Sequence, residues 1–380
     1  MPIKVVSIVS RMNLGGVAIL LKEIHKDLNT ADYDHTLITG VCSVNELDIL
    51  ADSGNLSKII QVNKMSRKPS ILEDFSSFFE IRKILKEISP DIVHTHTSKA
   101  GVLGRIAALS LRKNLCIVHT FHGHHIYGYF SKTIVKIIIF AEQILGNYSD
   151  LLIADSVQVK DDLRKVGIGK SKSWRVITPG VRELAQISNK EARSRLAVDK
   201  DTFTICWIGR FVDIKNPILA LTAYSMLNSF EKSHSKFIMV GDGELLEKCK
   251  AFAKANDLNV SFPGWEMNIA PFLAASNLLL LTSRNEGFGM VLAESGQYGV
   301  PALSTDVGGV REFIENNENG ILVEAYPEAI ASTISYLMKN PTSLIKLGEN
   351  ARKTSAEKFS MDNFIQKHKE IYLDLNQKNT

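Results

Sequence analysis

Short, nearly unbroken apolar runs recur along this chain, each followed by a glycine or polar turn and then by a stretch with helical spacing. Residues 3–9, 35–41, 115–120, 151–156 and 175–181 read as strands in the first half, and residues 203–208, 237–243, 278–283 and 301–305 in the second. Runs without polar alternation suit strands covered on both faces, as in a parallel sheet. Residues 17–28, 75–88, 132–148 and 363–375 read as helices, and residues 90–105 as a short strand, a polar turn and a helix of small residues. This order predicts an α/β architecture. At 380 residues the chain is long enough for two domains. A polar, charged linker at about 183–195 sets the expected division: 1–183, 184–360, and a terminal helix over 361–380.

The run at 278–283 leads into Arg284-Asn285-Glu286-Gly287-Phe288-Gly289-Met290-Val291-Leu292-Ala293-Glu294. A strand, a glycine turn and a helix start bring free N–H groups and a positive dipole end to one point, which suits phosphate. Glu286 and Glu294 bracket that point. Acid beside phosphate is repulsive, so these side chains are expected to accept hydrogen bonds from sugar hydroxyls, which points to a nucleotide-sugar. The plainer reading is a helix N-terminal turn with solvated glutamates. A second strand–glycine–helix turn carries Gly15 and Gly16; it lacks G-x-G-x-x-G spacing, which disfavours a dinucleotide. Arg210 and Lys215 leave a strand end on one loop, where a fork and a point charge suit a diphosphate.

Composition is that of an ordinary globular protein, 45% hydrophobic and 23% charged, with no apolar run of membrane-spanning length. No signal-peptide pattern follows Met1, and Cys42, Cys116, Cys206 and Cys249 lack metal-ligand spacing, so buried thiols in a cytoplasmic protein are expected. Residues 1–185 hold 24 Lys and Arg against 18 Asp and Glu, and the remainder 21 against 23. An excess of six is too small for nucleic-acid binding. It fits peripheral contact with an anionic inner-membrane face, or plain solvated charge. The apolar patch at 134–140 beside Lys132 and Lys136 could lie in a membrane interface; a crossover helix on the sheet is the preferred reading. Histidines 119, 122, 124 and 125 lack spacing that would converge three of them on a metal. Asp32-Tyr33-Asp34 spells D-x-D but sits at the edge away from ligands, as a surface turn.

The segment E-G-F-G-M-V-L-A-E, with Gly299-Val300-Pro301 and Asp306-Val307-Gly308-Gly309 after it, resembles the family 4 retaining glycosyltransferases. The G-R-x(4)-K at 209–215 and the T-F-H at 120–122 are similar to further motifs of that family, and H-T-H-x-x-K-A-G-x-L-G-R at 94–105 to its bacterial surface-polysaccharide branch. The matches run in order along nearly the whole chain. The resemblance implies the GT-B fold: two facing Rossmann-like domains, the first for the acceptor, the second for the nucleotide-sugar, and a C-terminal helix crossing back to the first. It assigns Glu286 to the sugar hydroxyls and Glu294 to the nucleotide ribose. Gly287, Phe288, Gly289, Met290 and Val291 line the donor, Trp265 flanks the base, and Gly15 and Gly16 close over the diphosphate. It also implies that His122 contacts the donor sugar near the reacting carbon, as catalytic partner to Arg210, Lys215 and Glu286. Asn13, His94, His96, Lys99 and His124 are expected on the acceptor side, with the strand-end histidines pointing at a cleft mouth.

These expectations add up to a retaining transfer of a hexose or N-acetylhexosamine from a nucleoside diphosphate sugar, UDP-sugar foremost, to a glycan or polyprenyl-diphosphate-linked acceptor. Cations and backbone dipoles take the role of a metal, so no metal or other cofactor is expected beyond the sugar nucleotide itself. The rival on the same architecture is a nucleotide-sugar 2-epimerase; a binding or assembly protein with a decayed site is the non-enzymatic alternative.

Overall fold

The structure is a computed structural model describing residues 1–13, 15–43, 48–50, 56–66, 70–111, 114–123 and 132–379, with Lys132 and Asn379 by backbone alone. The chain divides into two compact units, Met1–Gly180 with Met361–Thr380, and Val181–Ser360.

The first unit runs β1 (Ile3–Val9), α1 (Gly16–Asp27), β2 (Tyr33–Thr39), β3 (Ile59–Gln61), α2 (Ile71–Ile88), β4 (Ile92–His96), α3 (Ser98–Ser110), β5 (Cys116–Phe121), α4 (Lys132–Asn147), β6 (Leu151–Ala154), α5 (Val157–Lys165) and β7 (Trp174–Val176). The seven strands form one parallel sheet in the order β3-β2-β1-β4-β5-β6-β7. Val6, Ile8, Val93 and Ile117 meet Ile81 and Leu85 of α2 and Ala100, Ala107 and Ala108 of α3 in a dry core. Small residues let α3 lie close: a Cβ on Gly104 would stand 2.8 Å from Thr95 and 2.9 Å from Ile8.

The second unit runs α6 (Asn189–Arg195), β8 (Phe203–Ile208), α7 (Pro217–Ser225), α8 (Ser229–Ser233), β9 (Ser235–Val240), α9 (Leu246–Ala255), β10 (Val260–Gly264), α10 (Ala270–Ala275), β11 (Leu278–Leu281), α11 (Met290–Gln297), β12 (Ala302–Thr305), β13 (Gly320–Val323), α12 (Pro327–Lys339) and α13 (Pro341–Lys358). Its sheet is parallel in the order β10-β9-β8-β11-β12-β13. The last helix, α14 (Met361–Asn379), returns to the first unit, where Tyr372 is fully buried and Lys369 pairs with Asp27 at 2.8 Å.

Two expectations need correcting. The stretch 183–195 is no free linker: its second half is α6, capped by the Ser188 hydroxyl, which accepts from the Glu191 N–H. Tyr33 and Asp34 belong to β2 rather than to a surface turn, because the Tyr33 ring is buried and its hydroxyl donates to the Lys369 carbonyl at 3.0 Å.

Candidate functional site

In the second sheet the strand order reverses between β8 and β11. Such a reversal leaves a crevice outside the carboxyl ends of the two strands. The loop after β8 carries Arg210 and Lys215, and the loop after β11 carries Glu286. Their backbones are locked together: the Arg284 N–H donates to the Ile214 carbonyl at 2.8 Å. Thr282 shares its hydroxyl proton between the carbonyls of Lys215 and Asn216, at 3.2 and 3.0 Å, while accepting from the Trp207 indole.

The Lys215 ammonium donates to Glu286 Oε1 at 2.5 Å, and the Ser283 hydroxyl to the same oxygen at 2.6 Å. Glu286 is only 7% exposed, so this charge is held by a paired cation and a hydroxyl rather than by water. Its Oε2 has no protein partner among the described residues. Gly308 (φ +55) fixes the position from behind: a Cβ there would stand 2.0 Å from the Glu286 carbonyl, which also accepts from the Gly309 N–H at 2.9 Å. Arg210 is exposed and makes no ion pair among the described residues.

Gly289 in the left-handed region (φ 82) turns the chain into α11, whose first turn has no side-chain cap. Its N–H groups and dipole end stay available for an anion. Glu294, one turn beyond Met290, lies on the same helix face. Burial raises its carboxyl to about 7, opposed by the Arg182 guanidinium, and it makes no hydrogen bond among the described residues. Trp265, just past β10, keeps its indole N–H buried and without an acceptor among the described residues.

The first sheet reverses between β1 and β4. Ser10 and Thr97 join the two strand ends through their hydroxyls at 2.8 Å, and the Ala100 N–H donates to Ser10 Oγ at 3.2 Å. Gly15 precedes α1, and among the described residues beyond its chain neighbours nothing comes nearer than 3.8 Å to where a Cβ would sit. Asp155 accepts from His122 Nδ1 at 3.2 Å, and His122 Nε2 lies 3.1 Å from His96 Nδ1. Burial and the neighbouring histidines hold the His96 pKa well below its ordinary value, and its Nε2 is buried without a partner among the described residues.

Two family models match this chain, "Glycosyltransferase Family 4" over residues 14–183 and "Glycosyl transferases group 1" over residues 188–354. The chain belongs to glycosyltransferase family 4. Among relatives of this glycosyltransferase, an Escherichia coli UDP-Gal:alpha-D-GlcNAc-diphosphoundecaprenol alpha-1,3-galactosyltransferase is 29% identical over 83% of each chain. Bacillus subtilis EpsD, described as a putative glycosyltransferase, is 27% identical over 80% of this chain and 82% of its own. Two solved structures share the GT-B fold. Sucrose-phosphate synthase from Thermosynechococcus elongatus matches with TM-score 0.85 and 20% identity over 98% of this chain and 99% of that one. Anabaena HepE in complex with UDP-glucose matches with TM-score 0.81 and 20% identity over the same shares.

Within this glycosyltransferase, Arg210, Lys215, Glu286 and the turn into α11 come together at the β8/β11 reversal, whereas Trp265 lies past β10 at the sheet edge. Gly287 and Gly289 form the turn; Phe288 is buried in the core, and Met290 and Val291 open the helix. The direct pairing of Lys215 with Glu286 is new, since sequence reasoning gave them separate duties. His94 is corrected: rather than pointing at a cleft mouth it is fully enclosed, with Nδ1 on the Tyr372 hydroxyl at 2.6 Å and Nε2 on Thr120 at 2.7 Å. His96 is likewise buried, and Lys99 pairs with Asp74. Asn13 Oδ1 accepts from Arg11 Nε at 3.0 Å. His124 lies outside the described residues. Asp155 went unnoticed, because nothing in the sequence links the end of β6 to a histidine after β5. Among the described residues no three His, Cys, Asp or Glu side chains converge as a metal-ligand set.

Proposed function

We propose that this chain is a retaining, metal-independent glycosyltransferase. It moves a hexose or N-acetylhexosamine from a UDP-sugar to a hydroxyl of a glycan or polyprenyl-diphosphate-linked acceptor, at the cytoplasmic face of the inner membrane, in bacterial surface-polysaccharide synthesis. The observation that carries this reading is the Lys215–Glu286–Ser283 cluster, held at the sheet reversal beside the uncapped start of α11. UDP in the donor and the polyprenyl acceptor follow the relatives' printed chemistry.

In this mechanism Arg210, Lys215 and the first turn of α11 stabilise negative charge as the bond from the anomeric carbon to the β-phosphate oxygen breaks. Preorganised charge of this kind is the largest catalytic contribution in most sites. Glu286 orients the sugar through its hydroxyls, Glu294 takes the ribose, and Trp265 flanks the base. Gly15 and Gly16 close over the diphosphate, and His122, oriented by Asp155, serves the sugar near its reacting carbon. The acceptor oxygen bonds to the anomeric carbon on the face the diphosphate leaves, and its proton passes to the departing phosphate oxygen.

The test is an NMR assay of the full chain with a UDP-sugar and a polyprenyl-diphosphate-sugar acceptor in EDTA. The expected product keeps the donor's anomeric configuration, and Lys215→Ala and Glu286→Ala each lower kcat by about 10²–10³. Near-normal turnover in both variants would contradict the assignment. So would an epimerised donor formed without acceptor, which is the 2-epimerase outcome.

A further inference from the structure

We infer that His96 is a positioning residue for the transfer: it holds the His122 ring in a single tautomer, with both ring nitrogens committed inside the protein. This role rests on the proposed part of His122 in serving the donor sugar. His94 and His96, expected on the acceptor side, are both buried, which leaves them for another duty.

The groups come from neighbouring strands. β4, β5 and β6 lie side by side, with His96 opposite Thr120 and Phe121 opposite Ala154. His96 is the last residue of β4, while His122 and Asp155 follow directly on β5 and β6. The line Asp155–His122–His96 therefore crosses the carboxyl edge of the sheet, the edge at which open α/β sheets bind ligands. The planes of the two imidazoles differ by 22°, and their centroids are 5.3 Å apart. With only 3.1 Å between His122 Nε2 and His96 Nδ1, rings so far apart meet edge to edge, and the hydrogen bond runs close to both ring planes.

Hydrogen-bond chemistry then orders the protons. A carboxylate only accepts, so Asp155 requires the proton on Nδ1 of His122. A neutral imidazole has one N–H, which leaves His122 Nε2 to accept from the Nδ1–H of His96. Burial and the neighbouring histidines favour the neutral form of His96, so its own Nε2 is bare. That nitrogen is buried without a partner among the described residues, and a buried acceptor is left unpaired more readily than a buried donor. His96 is itself held: its ring centroid lies 4.1 Å from that of His94, which is pinned by Tyr372 on one nitrogen and Thr120 on the other. Directly after it, Thr97 takes φ 63, a strained value for a β-branched residue that persists only where the surroundings enforce it. A ring engaged at both nitrogens has no proton to give. His122 therefore supports the reacting sugar as a fixed ring and does not protonate the departing phosphate.

Long-range proton–nitrogen NMR correlation of the full chain, labelled with ¹⁵N-histidine, tests the tautomer without donor or acceptor. His122 is expected to show a protonated Nδ1 and a bare Nε2, its signals being those lost in His122→Gln. A protonated Nε2 on His122 would overturn the inference. Turnover of a UDP-sugar with the polyprenyl-diphosphate-sugar acceptor reads the consequence. His96→Leu is expected to lower kcat by about 10–100-fold with little change in KM for the donor. His96→Asn, whose side-chain amide supplies an N–H in place of Nδ1–H, is expected to restore most of the rate. Equal rates in the two variants, or an effect of His96→Leu on KM alone, would also overturn it. Should His96→Leu lose the wild-type circular dichroism, the spectrum of the wild-type chain decides by itself. A wild-type chain with the expected spectrum but no transfer would count against the transferase reading and not against the hold of His96 on His122.

Discussion

At the residue scale the proposed donor site holds carboxylates in unlike surroundings. Glu286 is paired with Lys215, whereas Glu294, half-buried on α11 and without a hydrogen bond among the described residues, is raised to about 7 by desolvation. Because its folded pKa lies above the ordinary carboxylate value, the folded chain binds the extra proton between about pH 4.5 and 7. Stability from this residue is therefore full below about pH 4.5 and falls as pH rises to 7. In the proposed site the ribose hydroxyls donate to the ionised form of Glu294, so UDP-glucose affinity is expected to rise about tenfold from pH 6 to pH 8 and to lose most of that dependence in Glu294→Gln. Calorimetric titration with UDP-glucose checks this, since that ligand has no phosphate titrating in the same range as the terminal phosphate of UDP. Both glutamates were legible in the sequence as a spaced pair after a strand. Their difference was not, because burial belongs to the assembled helix α11 rather than to its local residues.

At the element scale, glycines decide how closely the site's supports approach. Gly296 of α11 sits against α13, where an added Cβ would stand 2.7 Å from the Ala351 carbonyl. Gly348 of α13 returns the contact, with only 2.1 Å to the Gly299 carbonyl. Gly299 ends α11 in the left-handed region, and the Val300 N–H closes back to the Ser295 carbonyl at 3.1 Å, a Schellman turn. Gly348→Ala forces these two backbones apart. A cost of about 2 kcal/mol, or roughly 4–8 °C in the second unit's melting temperature, is expected by calorimetry. No change in melting would show that the crossing is looser than described. Strand and helix periodicity located α11 and the flanking strands to within a few residues. α13 went unread: the residues that bind it to α11 are small, and small residues leave no hydrophobic stripe.

At the scale of the whole molecule, the two units differ in what acid does to them. The first unit holds six histidines whose pKa values are lowered, all chiefly by burial: His25, His35, His94, His96, His119 and His368. A histidine kept neutral in the folded chain contributes stability that is intact above about pH 6.5 and is lost as pH falls below it, by up to about 1.4 kcal/mol per pH unit for each group. The first unit is thus expected to melt first as pH falls from 7 to 5, while the second, through Glu294, gains stability over the same range. Scanning calorimetry at several pH values, with UDP present to mark the second unit, separates the two. The alternation of strands and helices announced both sheets in the sequence, and the motifs pointed to the candidate site at the β8/β11 reversal. The histidine core could not be read, because His94 meets Tyr372 across 278 residues of sequence.

A crystal structure of the full chain with bound UDP tests the placement of the donor most directly. The diphosphate is expected on Arg210, Lys215 and the first turn of α11, with the ribose hydroxyls donating to Glu294. UDP bound away from the carboxyl ends of β8 and β11, or a ribose that does not touch Glu294, would contradict it.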